Sequence, residues 1–284
     1  MRIQTALRLG RVSNLPTVWS NVLAGVALGG GDPLSARTPP LLLALSLFYV
    51  AGMFLNDGFD AAFDRRLRPE RPIPSGEVTR TTVMAVGFAL MASGYVVLLL
   101  SAIPSWSTPV IGAALAASIL LYDAWHKRNP ISPFLMGVCR LFAYVAAGYA
   151  VTPSPAPALW IAAVASLCYL VGLTYAAKQE TLLRVANLWP LAFLVVPLVW
   201  GLVAARDAPA LLLPLVALGA WIVYAVRLLL QGGPQIGRAV VALIAGISLV
   251  DAVFVAACGE LVAAAACVAA FGLTLALQRQ VAGT

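Results

Sequence analysis

Charge is scarce in this chain. Only 10% of its 284 residues are Asp, Glu, Lys or Arg, against 62% hydrophobic ones. Water-soluble domains carry roughly 25% charged residues, so a soluble globular fold is excluded. Histidine is almost absent: His126 is the single one, which rules out a histidine metal cluster. The four cysteines, Cys139, Cys168, Cys258 and Cys267, sit singly in apolar segments without metal-ligand spacing and read as small buried residues. The start, Met1-Arg2-Ile3-Gln4-Thr5, has neither the apolar core nor the cleavage site of a leader, so the first hydrophobic segment is expected to remain as a helix. Alternation of apolar and polar residues, which a membrane barrel strand needs, is missing too. What is present is long continuous apolar runs. In lipid such runs must satisfy their own backbone hydrogen bonds, and the helix is the remaining solution.

A spanning helix needs about 20 apolar residues. Ten candidate segments meet or approach this, at 14–30, 40–55, 80–101, 108–123, 132–151, 157–177, 186–205, 209–230, 237–257 and 260–278. The expected fold is an all-α, polytopic bundle of nine to ten spans forming one domain over 1–284. Eighteen basic residues outnumber eleven acidic ones. In a soluble protein that excess would suggest nucleic acid. Here the basic residues follow the loops instead: fifteen lie on one side of the alternating spans, and only Arg37 and Arg206 lie on the other, with Arg140 inside a span. Basic loops stay in the cytoplasm. That predicts a plasma-membrane protein with 56–80, 123–131 and 178–187 facing the cytoplasm, and no nucleic-acid partner.

The richest polar stretch is Asn56-Asp57-Gly58-Phe59-Asp60-Ala61-Ala62-Phe63-Asp64. At 100° per residue, Asp57, Asp60 and Asp64 fall on one helix face, with Asn56 one turn before Asp60. Three carboxylates in a narrow arc repel one another, and a divalent cation relieves this. Mg²⁺ is commonly held by one or two carboxylates plus substrate phosphates. The arc reads either as a diphosphate–Mg²⁺ clamp or as a solvated acidic face balanced by the arginines after it. An acidic helix end under lipid is costly without a role. Next come Arg65-Arg66-Leu67-Arg68-Pro69-Glu70-Arg71-Pro72-Ile73-Pro74-Ser75-Gly76, in which the prolines stiffen the loop around Arg71. Its guanidinium suits phosphate oxygens, although topology alone accounts for any one arginine here.

The two pieces together, Asn-Asp-x-x-Asp-x-x-x-Asp at 56–64 and Arg71-Pro72-Ile73-Pro74-Ser75-Gly76, resemble the first signature of the UbiA-type intramembrane prenyltransferases. The stretch from Asn14 to Gly25 is similar to that family's first segment, and the order of spans and loops extends the likeness over nearly the whole chain. The resemblance implies a bundle around a central cavity open sideways to lipid. It implies Mg²⁺-dependent transfer of a prenyl group from a prenyl diphosphate to an acceptor that the sequence leaves unidentified. Carried over, Asp57, Asp60 and Asp64 are catalytic and hold the metal, while Asn56 and Asn14 bind substrate. Phe48, Phe54, Phe142 and Tyr144 are candidate walls for an allylic cation.

The chain also departs from the family. Tyr122-Asp123-Ala124-Trp125-His126-Lys127-Arg128 has Lys127 five residues after Tyr122 where four is usual, and His126 occupies the expected place. Tyr122, Lys127 and Arg128 are still expected at the diphosphate. The family's second aspartate motif is replaced by Thr174-Tyr175-Ala176-Ala177-Lys178-Gln179-Glu180-Thr181. Lys178 is then a phosphate-binding charge and Glu180 a lone metal ligand, or activity has been lost. Arg140, in a Met-Gly-Val-Cys-Arg string similar to one in a bacterial branch of unassigned substrate, binds substrate or pairs with an acid such as Asp251. A transporter and a membrane alcohol phosphotransferase are the rival readings. The first would need internal repeats and broken helices in matching halves.

Overall fold

The computed structural model describes residues 1–127, 129–179 and 187–281, and among these all regular structure is helical. A short α1 (Ile3–Leu9) leads through one 3-10 turn into α2 (Leu15–Leu28). Then follow α3 (Thr38–Leu67), α4 (Arg80–Ser101), α5 (Ser107–Trp125), α6 (Ser132–Val151) and α7 (Pro157–Gln179). A 3-10 segment, Trp189–Val195, precedes α8 (Val196–Ala204), and α9 (Leu212–Gln231), α10 (Gln235–Ala257) and α11 (Leu261–Leu277) complete the bundle. Proline stands in the first turn of α2, α3 and α6, where its missing N–H costs nothing. Thr79 caps α4 by accepting a hydrogen bond from the Thr82 N–H at 3.2 Å.

Each of the ten expected segments holds a helix, with three differences in length. Among the described residues, seven helices are long and apolar enough to cross a membrane. The expected short span at 40–55 instead runs for 30 residues and carries the whole acidic stretch on the same helix. The first span is only 14 residues. At 1.5 Å per residue it rises about 21 Å, less than a bilayer core. It survives because α3, α6, α10 and α11 enclose it, so it does not have to match the lipid. The segment at 186–205 is split by Pro190 and Pro197 into its 3-10 piece and α8.

Small residues bring α2 and α6 together. A Cβ on Gly25 would lie 2.7 Å from both the Tyr144 carbonyl oxygen and the Ala147 Cβ. Backbone cannot yield as a side chain does, so Gly25→Ala is expected to cost about 1–3 kcal/mol by overpacking, read as a lower unfolding temperature in detergent. A second, smaller core of Leu9, Phe54, Val78 and Val83 fastens α1 and the 68–79 loop to α3 and α4. Outside the spans, Glu77 ties that loop to α1, accepting from the Thr5 hydroxyl at 2.8 Å and pairing with Arg8 at 3.1 Å. The Thr5 hydroxyl, then Arg8, holds its carboxyl below the usual range.

Asp251 in α10 is fully buried. It accepts from the Ser20 hydroxyl at 2.5 Å and from the Tyr144 hydroxyl. The expected pairing with Arg140 is not a direct one. Arg140 instead donates to the Thr17 carbonyl at 3.0 Å and to Asn21 Oδ1 at 3.4 Å. Both side chains therefore grip α2, each through polar atoms of that helix.

Candidate active site

One stripe of α3 builds the site. Residues 48, 49, 52, 53, 56, 57, 60 and 64 recur at three- and four-residue steps and so share one face. The upper part of the stripe is apolar and lines a cavity of about 120 Å³, to which Phe48, Tyr49 and Met53 contribute, with Tyr122 and Asp123 from α5 and Arg140 from α6. The lower part is the acidic arc. Asp64 is 1% exposed, Asp60 4% and Asp57 8%.

Buried carboxylates need partners, and here every one has a cation. Arg71 Nη1 lies 2.9 Å from Asp64 Oδ2 and 3.4 Å from Asp57 Oδ1, bridging the two. Arg11 reaches the same Asp57 Oδ1 at 3.3 Å. On the other flank, Lys127 Nζ is 2.8 Å from Asp60 Oδ2, and His126 Nε2 is 3.4 Å from it. Lys127 also sits 4.3 Å above the Phe63 ring. Arg80 donates to the Gly58 carbonyl at 2.8 Å, which fixes the start of α4 against the arc. Asn56 Nδ2 donates to Asp123 Oδ1 at 3.1 Å and so joins the arc to the cavity.

Most of the expected site residues thus converge: Asn56, Asp57, Asp60, Asp64, Arg71 and Lys127 at the arc, Tyr122 and Arg140 at the cavity. The irregular spacing after Tyr122 is accommodated because both His126 and Lys127 turn to Asp60, with the His126 ring stacked on Tyr122 at 4.9 Å. Lys178 donates to the Asn129 carbonyl at 2.6 Å, across the α5–α6 turn. Asn14 is buried and accepts from Gln278 at 3.0 Å, linking the start of α2 to the end of α11. Arg128 and Glu180 lie outside the described residues. Of the four expected aromatic walls, only Phe48 lines the cavity. Phe54, six residues on, points to the small core under α1. Phe142 packs against the main core, and Tyr144 is engaged by Asp251. Tyr49 and Tyr122 take the wall positions instead.

Arg11 is a site residue that sequence reasoning missed. Its backbone is left-handed, with φ of 42°, which a non-glycine residue adopts only under strain. The turn swings the guanidinium from α1 onto Asp57, and the Tyr49 hydroxyl holds the Arg11 carbonyl at 3.3 Å. Arg11→Gly is therefore expected to separate fold from function. Relief of strain offsets the lost ion pair, leaving the unfolding temperature within a few degrees, while affinity for an anionic ligand at the arc falls about tenfold, the cost of one charge-assisted hydrogen bond of about 1.5 kcal/mol.

The donor chemistry fits a hard divalent ion shared with a substrate. All candidate ligands are oxygens, and Asp64 Oδ1 is buried with no hydrogen-bond partner among the described residues. Among the described residues no three acidic, histidine or cysteine side chains gather closely enough to cage an ion. The arc's carboxylate oxygens are nonetheless the type of ligand that Mg²⁺ takes.

The fold and arc define a class: a polytopic membrane bundle with a cation-lined acidic arc at the mouth of an apolar cavity. The chain belongs to the UbiA prenyltransferase family, whose model matches residues 16–242. It is 30% identical over 175 residues to the digeranylgeranylglyceryl phosphate synthase of Methanopyrus kandleri, covering 58% of this chain and 59% of that one. It is also 30% identical over 160 residues to the 4-hydroxybenzoate octaprenyltransferase of Pectobacterium carotovorum, covering 55% and 53%. The chain thus spans little more than half the length of these curated relatives. Among solved structures, the apo UbiA homolog of Aeropyrum pernix matches with a TM-score of 0.65 at 15% identity, covering 89% of this chain and 98% of that one. A digeranylgeranylglyceryl phosphate synthase structure matches with a TM-score of 0.64 at 19% identity, covering 90% and 98%. These two bear on the fold alone.

Proposed function

We propose that this protein transfers a prenyl group from a prenyl diphosphate to an acceptor within the membrane, with Mg²⁺ at the acidic arc. The observation that carries the reading is the arc itself: Asp57, Asp60 and Asp64 buried on one face, each already matched by a cation, directly below an apolar cavity. Family membership supports the same reaction class.

Asp57, Asp60 and Asp64 would hold the ion, which when bound supplies positive charge to the leaving diphosphate. The basic side chains do the rest. Arg11, Arg71 and Lys127 lie within 3.4 Å of carboxylates at the arc, so a diphosphate seated there is within their reach. Each exchanges a carboxylate oxygen for a phosphate oxygen at little cost in charge separation. Fixed donors aimed where charge develops are the largest catalytic resource of most enzymes. The breaking bond joins the prenyl carbon to the diphosphate oxygen, and its electron pair leaves with the diphosphate. Phe48, Tyr49 and Met53 line the space above and keep water from the allylic cation. Lys178, standing where the family carries acids, adds fixed positive charge beside the α5–α6 turn. The excess of basic residues in the loops on this side supports a cytoplasmic face.

The reading is tested with purified protein and labelled prenyl diphosphates of several lengths, with and without Mg²⁺, using a membrane lipid extract as acceptor source. Mg²⁺-dependent appearance of label in a new lipid-soluble product is expected. Donor left intact at every length contradicts it.

A further inference from the structure

The short helix α1 has two opposite faces. Thr5 and Leu9, one turn apart, are buried, and Leu9 joins the small core with Phe54, Val78 and Val83. Ile3 and Leu7, also one turn apart, point the other way and are 79% and 37% exposed. Gln4 and Arg8 form an edge between the faces, and Arg2 precedes the first turn. Seven residues are too few for a helix to persist alone in water, so α1 is held by what packs on it. One face is held by the small core. The other is an apolar strip beside two arginines.

The depth of α1 shows what covers that strip. A Cβ on Gly10, the residue that ends α1, would lie 3.3 Å from Val50 Cγ1. Val50 precedes Asp57 by two helical turns of α3, so the end of α1 sits about 10 Å further into the bundle than the arc. Val86, packed on the same small core, also belongs to a candidate span. A helix resting against two spans at that depth meets lipid with its outer face, not water. Apolar side chains at the acyl boundary with basic ones at the headgroups make an interfacial helix, and anionic lipid strengthens its hold. Arg2 is exposed, and the Arg8 side chain is 48% exposed even while paired with Glu77. The chain continues directly into the left-handed turn at Arg11, whose guanidinium reaches Asp57 at 3.3 Å. A strained turn persists only while its surroundings hold it. Here α2 anchors one side and α1 the other.

We propose that the outer face of α1 docks into anionic lipid in the leaflet at the arc's end of the bundle, and that this docking holds Arg11 on Asp57. Lipid charge then sets how tightly the arc binds diphosphate, because a detached α1 frees the turn and withdraws one cation. The docking stands by itself; the coupling to diphosphate rests on the prenyl-transfer reading.

The test uses the full chain in nanodiscs of phosphatidylcholine alone or of phosphatidylcholine mixed equally with phosphatidylglycerol. Amide hydrogen exchange over 2–12 reports the docking, and titration with pyrophosphate and Mg²⁺ reports the arc. Exchange over 2–12 is expected to slow at least about fivefold in the anionic discs, the worth of one arginine at such a surface. Pyrophosphate binds more tightly there by up to about tenfold, the worth of the Arg11 contact. Arg2→Gln/Arg8→Gln removes both differences. Ile3→Ser/Leu7→Ser speeds exchange over 2–12 in either lipid. Arg11→Gly keeps the lipid-dependent exchange and loses the lipid dependence of affinity, which separates the coupling from any general effect of surface charge. Wild-type exchange over 2–12 that is the same in both lipids overturns the docking. Protection that arises only when two chains share a disc also overturns it, since a second copy then covers the strip. Lipid-dependent affinity that persists in Arg11→Gly overturns the coupling. Lipid-dependent exchange in a wild-type protein that binds no pyrophosphate in either disc supports the docking and overturns the diphosphate reading of the arc instead.

Discussion

Asp57→Asn and Asp60→Asn are each expected to reduce prenyl transfer by about three orders of magnitude, the upper range for losing one electrostatic contact to a developing charge. The geometry explains why two neighbouring carboxylates are each indispensable. Asp57 Oδ1 is the point on which Arg11 and Arg71 both converge, at 3.3 and 3.4 Å. Asp60 Oδ2 holds Lys127 and His126 on the opposite flank. Loss of either removes an oxygen ligand and also releases the cations that it orients. Asparagine keeps the volume and one acceptor oxygen, and the released Lys127 is already 37% exposed, so it turns to solvent readily. The fold should survive, with an unfolding temperature near that of wild type. Transfer rate and unfolding temperature measured on the same preparation separate the two effects. Wild-type transfer in both variants would show that the arc is only a structural cluster of ion pairs.

Arg71→Ala is expected to damage both fold and function, because one guanidinium bridges two buried acids. Asp64 has no other cation among the described residues, and its Oδ1 is already unsatisfied. Removing one partner of a buried pair costs about 3–5 kcal/mol, since the other charge is left stranded. Added Mg²⁺ should recover part of that loss by replacing the missing charge, and thermal unfolding with and without Mg²⁺ reads this directly. Arg71→Lys keeps the charge but loses the fork that spans two oxygens. It should fold nearly as well as wild type and show a raised donor KM. Equal effects of Ala and Lys would mean that the bridge, not the charge, holds the loop.

The bundle was readable from the sequence because lipid leaves so few options: long apolar runs, loops marked by arginine, and prolines at helix starts. The arc was readable because Asp57, Asp60 and Asp64 obey the helical period and α3 continues unbroken through them. What the sequence concealed depends on contacts between distant segments. Arg11 lies 46 residues from Asp57, and only a left-handed turn after α1 aims it there. His126 showed itself in the sequence only as the residue standing in the family's lysine place, yet the end of α5 turns it to Asp60. Phe54 was expected at the cavity, but the small core beneath α1 claims its side of α3. Asp123 carried no signal of its own. Its link to the arc comes from Asn56, 67 residues away.

Calorimetric titration of the purified protein with inorganic pyrophosphate, in Mg²⁺ and then in EDTA, puts the account to its plainest test. Binding should require the divalent ion and vanish in Asp57→Asn. Pyrophosphate that binds equally well in EDTA, or as tightly to Asp57→Asn as to wild type, would contradict it.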